Sequence, residues 1–146
     1  MQNESLTMDE RSTSILIVED SVHYSQILTR LLVKGLGYTD VTAVPETAAA
    51  YRKVSAEPSK YNLLFVDFHF PVGENGAAFL EKLQREKLME GRIGFIITSD
   101  PSLDLTNEAA AAGAIGVVAK PFNLDQLRQQ LDRARRMLFA DSVEYF

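Results

Sequence analysis

Five short apolar runs constrain this chain more than any other feature: Ile15-Leu16-Ile17-Val18, Val41-Thr42-Ala43-Val44, Leu63-Leu64-Phe65-Val66, Ile93 to Ile97, and Ile115 to Ala119. Each is too short to be a helix in its own right and too apolar for a strand with one wet face. Strands that are apolar on both faces belong inside a parallel sheet, and parallel neighbours require long crossover connections. The intervening segments have the pattern of such crossovers. Val22 to Leu36 carries Tyr24, Ile27, Leu28, Leu31 and Leu32 at helical spacing and is closed by Gly35 and Gly37. Pro45 opens a second helix at its first turn, and an alanine-rich stretch continues it to Ala56. Phe79, Leu80 and Leu83 mark a third helix after Gly76, Leu103 to Ala112 a fourth, and Leu124, Leu127, Leu131, Ala134 and Leu138 the apolar stripe of a fifth. The alternation predicts an α/β fold, a doubly wound (βα)5 three-layer sandwich around a five-stranded parallel sheet.

With 146 residues the chain suits one domain. Residues 1–13 are polar and aperiodic and are expected to form a flexible N-terminal arm, residues 14–140 the domain, and residues 141–146 a C-terminal tail or the start of a linker. A formal net charge of −5 argues against non-specific nucleic-acid binding, which needs a basic face. Without cysteine there is no disulfide framework and no thiolate metal site. No apolar run approaches the roughly 20 residues of a membrane span, and the N-terminus lacks a signal-peptide core, so the expected location is cytoplasmic with no membrane partner.

The segment LLFVDFHFPVGENG, residues 63–76, shows where the chemistry should lie. Its apolar run stops on Asp67, and the other runs stop in the same manner: Glu19-Asp20 follows the first, Thr98 the fourth and Lys120 the fifth. In doubly wound sheets functional groups gather outside the carboxyl ends of the strands. Alone, Glu19-Asp20 would serve as a turn and helix cap, Thr98 as an ordinary strand residue and Lys120 as a solvated cation. Together they bring three carboxylates, a hydroxyl and an ammonium to one cleft. Packed carboxylates repel and must take up a proton or a cation. Oxygen ligands without cysteine or a histidine pair favour a hard ion such as Mg²⁺, which keeps waters and accepts a phosphate oxygen. An aspartate can attack phosphorus, Lys120 can neutralise phosphoryl oxygens, and the Thr98 hydroxyl can donate to one of them.

With ILIVEDS, LLFVDFHFP, FIITSD and VVAKPF in that order, residues 14–140 resemble a receiver domain of two-component response regulators. The resemblance implies the flavodoxin-like strand order 2-1-3-4-5, of which this family is itself a well-known example. It implies Asp67 as phosphoacceptor, with Thr98 and Lys120 as its catalytic partners. It implies Mg²⁺, or Mn²⁺ in its place, held by Asp20, Asp67 and the backbone carbonyl of His69, with Glu19 acting through water. It further implies a cis peptide before Pro121, and a sensor histidine kinase or phosphotransfer protein as phosphoryl donor. The protein would be a phosphoacceptor that assists its own phosphorylation and dephosphorylation and not an enzyme acting on a separate substrate. Its partners would be a downstream target protein or output domain, with a homodimer through the fourth helix, fifth strand and fifth helix, and no direct nucleic-acid binding by this domain.

Three features depart from the family pattern. Val117 stands where such domains often carry a switch aromatic, three residues before the lysine, and it is paired with Thr98 as the switch position. The stretch from Asp67 to Gly76 is one residue longer than the commonest form. The positions that tune dephosphorylation fall on His69 and Asp100, whose side chains are expected to lie over the phosphoryl group. Two other functions compete: a degenerate receiver acting as a phosphorylation-independent scaffold, and a receiver fragment of a longer regulator with a missing output domain. A phosphatase with an aspartate nucleophile would need a second aspartate two residues on, where His69 stands.

Overall fold

The computed structural model describes residue 10 and residues 12–143, with side chains described as far as residue 137. Along the chain it forms β1 (Ser14–Val18), α1 (Val22–Arg30), a π turn (Leu31–Gly35), β2 (Asp40–Val44), α2 (Thr47–Ala56), β3 (Leu63–Asp67), α3 (Gly76–Arg85), β4 (Ile93–Thr98), α4 (Leu103–Ala111), β5 (Gly116–Ala119) and α5 (Leu124–Val143). The strands are all parallel, in the order β2-β1-β3-β4-β5. This is the doubly wound sheet expected from the sequence, with the strand order reversing direction between β1 and β3.

Alternate side chains of each strand point to opposite faces, and this splits the core into two layers. Leu16, Val18, Leu64, Val66 and Ile96 face Ala50 and Val54 of α2, Phe79, Leu80 and Leu83 of α3, and Leu105 and Ala109 of α4. Ile15, Ile17, Leu63, Phe65, Phe95 and Val118 face Leu28 of α1, Leu32 of the π turn, and Leu127, Leu131 and Ala134 of α5. Phe65 and Phe95 stack with centroids 5.0 Å apart. Because β1, β3 and β4 are wholly buried, the register between them has no freedom to slip: a shift of one residue would exchange the two layers.

Two local expectations are corrected. The first helix does not continue as one α-helix to Leu36: beyond Arg30 it becomes a π turn, with the Leu36 N–H bonded to the Leu31 carbonyl at 3.0 Å, five residues back. Gly35 ends this turn where α5 begins, and a Cβ there would stand 2.8 Å from Leu124 Cδ1. Gly37 follows with φ +86° and reverses the chain into β2. Pro45 is not in the first turn of the second helix: Glu46 is the N-cap and α2 starts at Thr47. Helix α5 runs to Val143, three residues into the segment expected as a tail or the start of a linker, and residues 144–146 lie outside the described residues. Most of the expected N-terminal arm, residues 1–9 and 11, also lies outside them. Of the rest, Glu10 pairs with Arg135 at 3.5 Å, and Thr13 is buried.

Candidate functional site

The parallel registers bring the strand ends to one edge. Asp67 lies beside Ile97, and Thr98 beside Ala119. The Phe68 N–H bonds to the Ile97 carbonyl at 2.9 Å and the Lys120 N–H to the Thr98 carbonyl at 2.8 Å, so the ladder carries on into the loops. Asp67 and Thr98 are therefore the last residues of their strands, Glu19 and Lys120 the first residues after theirs.

Each side chain is placed by a local device. The Glu19 N–H bonds to the Val44 carbonyl at 3.0 Å, and Glu19 Oε2 accepts from the Ser21 N–H at 3.0 Å. Ser21 is the N-cap of α1, its hydroxyl oxygen accepting from the Tyr24 N–H at 3.3 Å. Asp67 is fixed from below by its strand and from the side by α3. A Cβ on Gly76 would come within 2.1 Å of the Asp67 carbonyl oxygen, and the Gly76 N–H bonds to the Phe68 carbonyl at 2.8 Å. Glycine alone lets helix and strand meet this closely. Asn75 caps α3 by accepting from the Ala78 N–H at 2.8 Å. Thr98 is fully buried, and its hydroxyl oxygen accepts from the Asp100 N–H at 3.0 Å, leaving the hydroxyl proton available to donate. The Lys120-Pro121 peptide is cis, as the resemblance implied.

Lys120 Nζ bridges two of the acids, 2.6 Å from Glu19 Oε1 and 3.3 Å from Asp67 Oδ1, with only 8% of its side chain exposed. Burial pushes the Asp67 carboxyl above the usual carboxylate range, Asp20 adding to the shift and Lys120 opposing it. Burial raises the Glu19 carboxyl too, against the hydrogen bond from Lys120. For Lys120 burial acts to lower the pKa, but the Glu19 hydrogen bond and the Asp67 charge more than offset it, and the net shift is upward. Oxygens of Glu19, Asp20 and Asp67 lie within 4.8 Å of one another, Asp20 being exposed and the other two buried. That set of hard oxygen donors, left short of positive charge by a single lysine, fits a divalent cation with one side open to water.

The structure thus gathers Glu19, Asp20, Asp67, Thr98 and Lys120. His69 and Asp100 flank the edge on the loops after β3 and β4. Both are exposed, the His69 ring packs edge to face on Phe68 at 4.8 Å, and no hydrogen bond or ion pair joins His69 to Asp100 among the described residues. Val117 lies apart from the acids: it is half-buried and lines a groove of about 380 Å³ between α4, β5 and α5, together with Thr106, Ala109, Gln130 and Arg133. Two of the four arginines of α5 spend their charge on the same helix, Arg128 on Asp125 at 3.4 Å and Arg135 on Asp132 at 3.1 Å. Sequence reasoning missed Tyr24 as a neighbour of the site, reading it only as part of a helical stripe. Its ring centroid is 4.3 Å from Lys120 Nζ.

Comparison with known proteins agrees with this geometry. Among curated proteins the chain is 30% identical over 118 residues to the two-component response regulator-like APRR3 of Arabidopsis thaliana, covering 81% of this chain but only 23% of that protein's length. It is 25% identical to the probable chemotaxis protein CheY of Rhizobium etli, covering 81% of this chain and 88% of the relative. Among solved structures, the receiver domain of the sensor histidine kinase PA1611 from Pseudomonas aeruginosa superposes with a TM-score of 0.70 at 23% identity, covering 83% of this chain and 95% of that one, and it holds a magnesium ion coordinated in its active site cleft. The family model described as the response regulator receiver domain matches residues 15–132, and with the strand order and the acid-lysine edge already in place, the chain belongs to that family.

Proposed function

We propose that this protein is a phosphorylation-activated switch that accepts a phosphoryl group on Asp67 from a phosphohistidine of a sensor kinase or phosphotransfer protein. The observation that carries this reading is the bridge from Lys120 to Glu19 and Asp67 beside the exposed Asp20. In the transfer, an Asp67 carboxylate oxygen attacks phosphorus, the O–P bond forms, the N–P bond breaks, and the pair of electrons returns to the imidazole nitrogen. Strand β3 and the close approach of Gly76 fix the main chain from which that carboxylate projects, which converts binding of the donor into alignment. Lys120 places a compact charge on the phosphoryl oxygens, and Thr98 donates its free hydroxyl proton to one of them. Glu19, Asp20 and Asp67, with the backbone carbonyl of His69, would hold Mg²⁺, which when bound neutralises charge on the phosphoryl group. His69 and Asp100, exposed on either side, set how readily water reaches the acyl phosphate and hence its lifetime.

Output would pass through the groove of α4, β5 and α5. Thr98 ends β4 and Val117 lies on the neighbouring β5, so a Thr98 drawn toward a phosphoryl oxygen changes the packing at one wall of that groove. Phosphorylation shifts the population of such a surface only by as much as the phosphoryl group prefers one arrangement over the other. The test is incubation with acetyl phosphate and Mg²⁺ followed by intact-mass measurement. One phosphoryl adduct on the native chain and none on Asp67→Asn is the expected result; a native chain that never gains the adduct, or an Asp67→Asn chain that does, overturns the reading.

A further inference from the structure

Acids do not enclose Lys120 alone. Its Nζ lies over the face of Tyr24, 4.3 Å from the ring centroid, and Tyr24 meets Phe122 edge to face with centroids 6.0 Å apart at 89°. The two rings come from different elements. Tyr24 stands in the first turn of α1, tied down by the Ser21 cap at 3.3 Å. Phe122 follows the lysine by two residues and packs on the core layer shared by α1 and α5. The position three residues before the lysine carries no ring, only Val117.

A cage of carboxylates by itself would hold the ammonium by its shortest contact, the 2.6 Å bond to Glu19, and away from Asp67 at 3.3 Å. Serving a phosphoryl group on Asp67 requires the ammonium to change its nearest partner while staying in the cleft. A ring face attracts a cation without demanding a hydrogen-bond direction, and the attraction grows where water is excluded. We infer that Tyr24, braced by Phe122, is a positioning residue for Lys120, its ring face holding the ammonium in the cleft while letting it pass from Glu19 to a phosphoryl oxygen on Asp67. The inference rests on Asp67 being the phosphoacceptor.

The experiment compares native protein with Tyr24→Leu and Tyr24→Phe in two measurements. In metal-free, unphosphorylated protein, the ε-methylene resonance of Lys120, assigned by its loss in Lys120→Arg, reports the ring directly. It is expected upfield in the native and Tyr24→Phe chains and close to that of a free lysine in Tyr24→Leu. In the second, adduct accumulation from acetyl phosphate and Mg²⁺ is followed by intact mass. Tyr24→Leu is expected to slow it about fivefold and Tyr24→Phe to stay within about twofold of native. An ε-methylene resonance that ignores the substitution, a Tyr24→Leu rate equal to native, or a Tyr24→Phe rate as slow as Tyr24→Leu overturns the inference while the native adduct stands. A native chain with no adduct overturns the phosphoacceptor reading and this one with it.

Discussion

At the N-terminal end of β4, Arg92 is 9% exposed, and at the C-terminal ends of β1 and β3, Glu19 and Asp67 are buried still more deeply at 3% and 4%. The surroundings of these charges differ in kind. The Arg92 guanidinium donates to five carbonyl oxygens: Leu88 at 2.6 Å, Glu57 at 2.7 Å, Lys60 at 2.8 and 3.0 Å, Tyr61 at 3.1 Å and Val54 at 3.3 Å. Those carbonyls end α2 and line the turns into β3 and β4, so one planar fork ties two connections together. No carboxylate partner is needed, because aligned carbonyl dipoles supply the negative potential. At the other end three acids gather, only two of them paired with the one ammonium, and burial raises the pKa of both buried carboxyls. One end of the sheet satisfies its charge with fixed backbone; the other leaves a deficit of positive charge that a ligand can fill.

The contrast can be broken most severely at Arg92. Arg92→Leu takes a donor from each of five carbonyls and is expected to cost about 3 kcal/mol in urea unfolding, while adduct formation on Asp67 in native buffer keeps its rate. A loss below about 1 kcal/mol would show the fork to be dispensable. Next in size is Asp67→Asn. Asp67 has a folded pKa above its unfolded value, so at neutral pH folding works against its ionised form, and stability from this group is gained only as pH falls through the folded pKa. A neutral amide removes that penalty: the metal-free protein should gain about 1 kcal/mol, and the thermal stabilisation by Mg²⁺ expected for the native chain should vanish. If Asp67→Asn is instead less stable in chelator, the acid edge is not strained by its own charge. The smallest effect belongs to Arg135, 36% exposed and paired with Glu10 and Asp132. Arg135→Ala is expected to change urea stability by less than about 0.5 kcal/mol, and a larger change would place the N-terminal contact among the determinants of the fold.

The two ends were not equally legible in the sequence. The acid edge could be read because it interrupts a pattern: Asp67 after Leu63 to Val66, or Lys120 after Ile115 to Ala119, stands out against the apolar run before it. The strands themselves were legible for the same reason, since burial on both faces leaves no polar residue to blur them. Arg92 gave no such signal. Its partners are main-chain carbonyls, which are the same for every residue type, and an arginine just before a strand looks like any surface cation. The π turn was invisible because Leu31 and Leu32 continue the apolar spacing of the helix before them, and the close approach of Gly35 to Leu124 joins residues far apart in sequence. Tyr24 had the spacing of a core stripe, and only the crossing of α1 beside the end of β5 shows it over Lys120.

The contact between Gly76 and the Asp67 carbonyl has a consequence for how such a chain can vary over generations. Because that single approach and the Gly76 to Phe68 bond set where α3 starts relative to the acid, the number of residues between them does not. The tip of the loop stands out from the body, with Val72 85% exposed and Gly73 facing open space. Length and composition at the tip are therefore free to drift and to meet different partners, while the glycine at its far end is not.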